Sequence, residues 1–87
     1  MRIWIREFAD NRMIKDTVVE NYDNDTRTHK VFAAIEEACK AFDLCKPIWL
    51  DKNVREFKQN SRTRFYQDSF IEEIDFEYLD FQVIEED

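Results

Sequence analysis

The chain has 87 residues with no glycine, one proline, two cysteines and a formal net charge of −7. Average usage predicts about six glycines, and Gly-rich phosphate loops, dinucleotide fingerprints and EF-hand loops need that residue where the backbone takes positive φ or closely approaches a ligand. Those sites are therefore excluded. The length fits one domain, 1–87, with a modest core, and 44% hydrophobic residues, 15% of the chain being aromatic, favour a folded α+β domain over a disordered tail despite 38% charged residues.

In chain order, Arg2 to Phe8 and Arg12 to Glu20 read as strands, rich in β-branched and aromatic residues. Ala9-Asp10-Asn11-Arg12 between them predicts a hairpin turn, because Asp and Asn tolerate the left-handed region best after glycine. Asn21 to Thr26 is a polar loop whose end, Asp25 or Thr26, suits a helix N-cap. From Thr28 to Asp43 the apolar residues Val31, Phe32, Ile35, Ala38, Cys39 and Phe42 recur at three and four residues, the signature of a long amphipathic helix. Pro47 limits its continuation, Pro47 to Leu50 reads as extended, and Asp51 is expected to cap a short helix through Asn60. That helix has Val54 and Phe57 as apolar anchors and a basic face of Lys52, Arg55 and Lys58.

Thr63 to Gln67 predicts a further strand, and the tail from about Phe76 to Glu85 alternates. The apolar phase flips near Tyr78, from Ile74, Phe76 and Tyr78 to Leu79, Phe81 and Val83, so a bulge or bend is expected there, or else both faces are covered. These elements imply a small antiparallel sheet of about three to five strands under one long helix. Trp4, Phe8 and parts of Tyr78 and Ile84 then fall on an uncovered face, which points to self-association or a protein partner, unless the shorter helix covers it. With no glycine available, Asp10-Asn11, Asp23-Asn24 and Asn60-Ser61 are the expected turn positions.

The charge is unevenly placed. Residues 65–87 hold nine acids and no base, whereas Lys46 to Arg64 hold six bases against Asp51 and Glu56. Overall acidity disfavours direct nucleic-acid binding, although Arg2/Trp4/Arg6 and Arg62/Arg64/Phe65/Tyr66 imitate a stacking platform for single strands. Their simpler reading is as core and interface residues. No apolar run reaches the roughly 18 residues of a bilayer span, and arginines interrupt the first apolar stretch as a signal segment, so no membrane partner and a cytoplasmic location are expected.

Candidate chemistry is sparse. One histidine, His29, and a C-x5-C pair lack zinc-ligand spacing, and Asp23-Asn24-Asp25 fails as a calcium loop because Arg27, Thr28 and Ala34 occupy required ligand or glycine positions. His29 and Cys39 lie about 15 Å apart along one helix, which excludes a dyad. Cys39 is expected in the core and Cys45 in a loop, both as reduced thiols. Glu72, Glu73, Asp75, Glu77 and Asp80 form an acidic cluster of the kind that holds a divalent ion or supplies paired carboxylates, and alternation would put Glu73, Asp75 and Glu77 on one strand face; a solvated, aggregation-blocking edge explains them most simply. No catalytic set, metal or cofactor is therefore expected.

The segments Asp25 to Lys30, Lys46 to Asp51, Thr63 to Asp68 and Phe70 to Phe76 resemble those of a group of short bacterial proteins of uncharacterised function, associated with gut anaerobes. The resemblance spans nearly the whole chain and implies a bacterial, stand-alone, cytoplasmic protein, but carries no activity or catalytic residue. The functional expectation is a small non-enzymatic interaction or assembly protein using an aromatic sheet face (Trp4, Phe8) and a basic helix face (Lys52, Arg55, Lys58). The alternative is an acidic inhibitor or nucleic-acid mimic using Glu72, Glu73, Asp75 and Glu77.

Overall fold

A computed structural model describes residues 1–87 as an α+β domain. Strands β1 (Arg2–Ala9) and β2 (Arg12–Glu20) form the N-terminal hairpin, followed by helices α1 (Arg27–Phe42) and α2 (Asp51–Asn60), strand β3 (Arg62–Phe65), a 3-10 turn at Gln67–Ser69 and strand β4 (Tyr78–Glu85). The sheet is antiparallel throughout with strand order β2-β1-β4-β3. No helix is long and apolar enough to cross a membrane.

The turns are made without glycine, as the composition requires. Asp10 and Asn11 both take positive φ, 52° and 62°, which gives the type I′ geometry whose twist matches that of a two-residue hairpin. Asp43 (φ 57°) ends α1, where the amide of Leu44 donates to the Cys39 carbonyl at 2.8 Å, and Ser61 (φ 54°) ends α2. Asp23-Asn24, expected to substitute for glycine, keeps negative φ, and Asp43 takes that role instead.

Cross-strand partners share a face, so the register sorts the side chains. Ile3, Ile5, Val19, Thr63, Phe65, Leu79 and Phe81 point toward the helices and are buried. Against them α1 packs Val31, Ala34, Ile35, Ala38, Cys39 and Phe42, and α2 packs Phe57. Trp49, in the segment between the helices, joins the layers: its ring meets Phe32 of α1 at 6.2 Å, Phe57 of α2 at 5.5 Å, Phe65 at 5.0 Å and Phe81 at 5.9 Å, all near perpendicular. Both helices lie on this one face, so α2 does not cover the other.

Three local expectations are corrected. Thr26 caps α1 through its hydroxyl, which accepts from the His29 amide at 3.2 Å, but α2 starts at a Leu50 N-cap, and Asp51 is its first helical residue. The Leu50 amide is satisfied by Asn53 Oδ1 at 3.0 Å. Asn53 is itself fully buried, its amide donating to Thr63 Oγ1 and the Arg64 carbonyl, both at 2.9 Å, so a polar residue anchors α2 alongside Phe57 while Val54 stays exposed. Finally, the phase flip at Tyr78 is no bulge: β4 begins there, and Phe76 lies in the preceding loop, buried edge-on against Phe70 at 5.8 Å. The bulges fall instead at Ile14, extra between Lys15 and Met13, and at Ile84, extra between Glu85 and Val83.

Candidate functional site

The face of the sheet opposite the helices carries the alternate residues of the same strands: Trp4, Arg6 and Phe8 of β1, Tyr78, Asp80 and Gln82 of β4, Arg62 and Arg64 of β3, and Asp16 and Val18 of β2. At its centre Asp80 is fully buried. An ionised carboxylate is tolerable there only when paired and hydrogen-bonded, and two guanidiniums supply this. Arg6 Nη2 donates to Asp80 Oδ2 at 2.7 Å and to Gln82 Oε1 at 3.1 Å, while Arg62 Nε and Nη2 donate to Asp80 Oδ1 and Oδ2 at 3.1 and 2.6 Å. The fork from Arg62 is bidentate, the stronger and more directional form of such a bond.

Held this way, Arg6 lies 4.0 Å from the centre of the Trp4 ring and 5.7 Å from that of Phe8. Phe8 stacks on Tyr78 at 5.1 Å and 18°, Tyr78 meets Arg64 at 4.6 Å and Tyr66 at 5.4 Å, and Tyr66 lies under the Lys52 ammonium at 5.5 Å. Trp4 Nε1 donates to Asp16 Oδ2 at 3.0 Å. The result is a connected chain of rings and cations that runs across the sheet face to α2. Trp4 and Phe8 are half-buried within it, so the open face is less apolar than their pattern implied.

The basic residues of α2 occupy an outward arc of about 120°, but they differ in environment. Lys52 donates to Asp68 Oδ2 at 2.7 Å, a bond that raises its pKa. Arg55 is exposed at the crest and Lys58 stands on the α1 side, neither with an ion-pair partner. Between the helices lies a half-open groove of about 230 Å³, walled by Val31, Phe32, Trp49, Val54 and Phe57 with Arg27 and Lys58 at its rim. Arg27 is held by Glu86 at 3.1 and 3.0 Å, a bond that lowers the Glu86 pKa.

Glu72, Glu73, Asp75 and Glu77 lie in the irregular loop before β4 and share no strand face. Glu72 accepts from the Cys45 amide and Glu77 from the Asn11 amide, each at 3.3 Å. Glu7 is a buried carboxylate on the helix side of β1 whose pKa is raised by burial first, against the attraction of Lys15, and further by the negative charge of Asp75. No three His, Cys, Asp or Glu side chains are grouped as metal ligands.

Cys39 is buried in the core, which pushes its thiol up to about 11, and Cys45 is exposed. His29 pairs with Asp25 at 2.9 Å, at the opposite end of α1 from Cys39.

Sequence reasoning placed Trp4 and Phe8 on this face but grouped Asp80 with the solvated acids of the tail, whereas it is buried, held by Arg6 and Arg62, and organises the face. Its signal was a lone acid between Leu79 and Phe81 in an apolar alternation. The grouping of Arg2/Trp4/Arg6 with Arg62/Arg64 by composition did anticipate the ring and cation content. Comparison with protein-family models, curated proteins and solved structures returns no match.

Proposed function

We propose that the chain is a small non-enzymatic interaction module that binds a protein partner through the open sheet face, with Trp4, Arg6, Phe8, Tyr78 and Arg64 as the contact centre. The observation that carries this reading is the assembled ring and cation chain around the buried Asp80. Trp, Tyr and Arg are the residue types that dominate binding energy at protein interfaces. Here they are already ordered by one another and by Asp80, so less side-chain entropy is lost on docking. The net charge of −7 opposes a phosphate backbone as the partner. Two of the four loop carboxylates are engaged by backbone amides, which gives less support to a phosphate-mimicking role.

The test is affinity capture with cross-linking, run on the wild-type chain and on a Trp4→Ala/Arg64→Ala variant, beside sedimentation analysis. A partner or second copy should cross-link to the open face, and the variant should bind at least about 30-fold more weakly, the loss expected for a hot spot of about 2 kcal/mol. A monomer at micromolar concentration that captures nothing specific, or a partner indifferent to both substitutions, overturns the reading.

A further inference from the structure

We propose that the groove between α1 and α2 binds a small aromatic monocarboxylate, its ring against Phe32, Trp49 and Val54 and its carboxylate at the Lys58 ammonium. The site lies on the helix side of the molecule and is independent of the open sheet face.

Three observations point there. Phe32 is 50% exposed and Val54 38% exposed, and both turn toward the groove although each helix has a buried stripe elsewhere. Trp49 forms a rigid wall because perpendicular contacts with Phe57, Phe65 and Phe81 fix its ring, and perpendicular or offset contact with that edge and with Phe32 favours an aromatic ligand over a flexible chain. The volume, about 230 Å³, is below the roughly 300–1,000 Å³ of pockets for drug-sized ligands, which limits the occupant to one ring with a short arm.

Charge selects the arm. In a chain of net charge −7, the rim of this apolar groove is cationic. Lys58 has no carboxylate of its own, whereas Arg27 is committed to Glu86 and lies 4.9 Å from the Phe57 ring as part of the wall. An incoming carboxylate therefore finds one unengaged ammonium beside a low-dielectric surface, where an ion pair is stronger than in open water. An amine would be repelled, and a neutral alcohol would forgo that pair.

The test is an amide-shift NMR titration of the whole chain with 3-phenylpropanoate, with 3-phenylpropan-1-ol and 3-phenylpropan-1-amine as matched probes, repeated on Lys58→Glu. Because Lys58 is exposed, the variant should keep the wild-type spectrum outside the groove. Saturable shifts at Val31, Phe32, Val54, Lys58 and the Trp49 indole are expected, with a Kd of about 1 mM, typical of a fragment with one polar contact. Both the alcohol and the Lys58→Glu variant should bind at least about fivefold more weakly, a discrimination within reach of one ion pair. Four outcomes overturn the proposal: no saturable shift, equal binding of acid and alcohol, indifference to Lys58→Glu, or groove shifts that follow protein concentration without ligand, which would make a second copy the occupant.

Discussion

The two faces of the sheet are built from alternate residues of the same strands, yet different forces hold them. On the helix side Leu79 and Phe81 sit among Phe57, Phe65 and Trp49, and the ordering is mainly by shape: Trp49 meets Phe65 and Phe81 at 87° and 86°, with Phe65 and Phe81 at 70° to each other. On the other side Asp80, one residue away, is just as buried but is covered by guanidiniums instead of helices. The first face is stabilised by removing apolar surface from water, at about 25 cal/mol per Å². The second depends on satisfying a charge. Burial by itself thus does not distinguish core from surface in this protein, because a single layer of arginine side chains can bury a carboxylate.

That contrast can be broken most severely from the helix side. Phe81→Ala removes a fully buried ring at the centre of the aromatic cluster and should cost about 3–5 kcal/mol, read as the free energy of urea unfolding. For a small domain that is a large part of the total stability. Asp80→Ala should cost less, about 2–3 kcal/mol, because Arg6 keeps Gln82 as a partner and Arg62 reaches solvent, so the charges left behind are only partly stranded. Arg62→Ala should lose about 1–2 kcal/mol, since it removes the bidentate fork from a buried carboxylate but leaves Arg6 in place, and the half-buried Arg62 gives up little packing of its own. If Arg62→Ala matched Asp80→Ala, the open face would be held by the pair itself and not by the need to cover Asp80.

Acid titration sharpens the comparison further, since two kinds of carboxylate respond in opposite senses. Glu86 and Asp87 have lowered pKa values, through Arg27 and through Lys30 with the terminal amino group. Their stabilisation is present above the ordinary carboxylate range and is lost as pH falls through their folded values. Glu7 is raised by burial, so it favours the folded state only where it is protonated, and that contribution disappears as pH rises through its folded pKa. Glu7→Gln should therefore raise Tm modestly at pH 7, with the gain fading toward zero below about pH 4, where wild-type Glu7 carries its proton. A gain that persists unchanged at low pH would show that packing, not charge burial, is responsible.

The smallest expected effect concerns the thiols. Cys39, buried and pushed up to about 11, should resist a thiol reagent at pH 7 until the chain unfolds, while exposed Cys45 reacts slowly because its hydrogen bond to Glu72 and the carboxylate charge raise its pKa. Glu72→Gln should speed Cys45 labelling a few-fold and leave Cys39 protected. Fast labelling of both thiols in the native protein would contradict the packing of α1 on the sheet.

The hairpin, the long helix and the use of Asp and Asn at the hairpin turn were legible from the amino-acid sequence, because they depend on near neighbours: alternation over eight residues, three-and-four spacing over sixteen, and the tolerance of Asp10 and Asn11 for positive φ. It also placed Trp4 and Phe8 on the open face. Where β4 starts was beyond it, since Phe76 and Phe81 are both buried but by different means, one in a loop against Phe70 and one in the sheet. The roles of Asn53, Trp49 and Asp80 were decided only by tertiary structure. Asn53 reaches Thr63 and Arg64, Trp49 bridges both helices to the sheet, and Asp80 meets an arginine 74 residues away in the chain. Buried polar groups and bridging rings take their meaning from partners distant in sequence, and local periodicity carries no record of which partner will arrive.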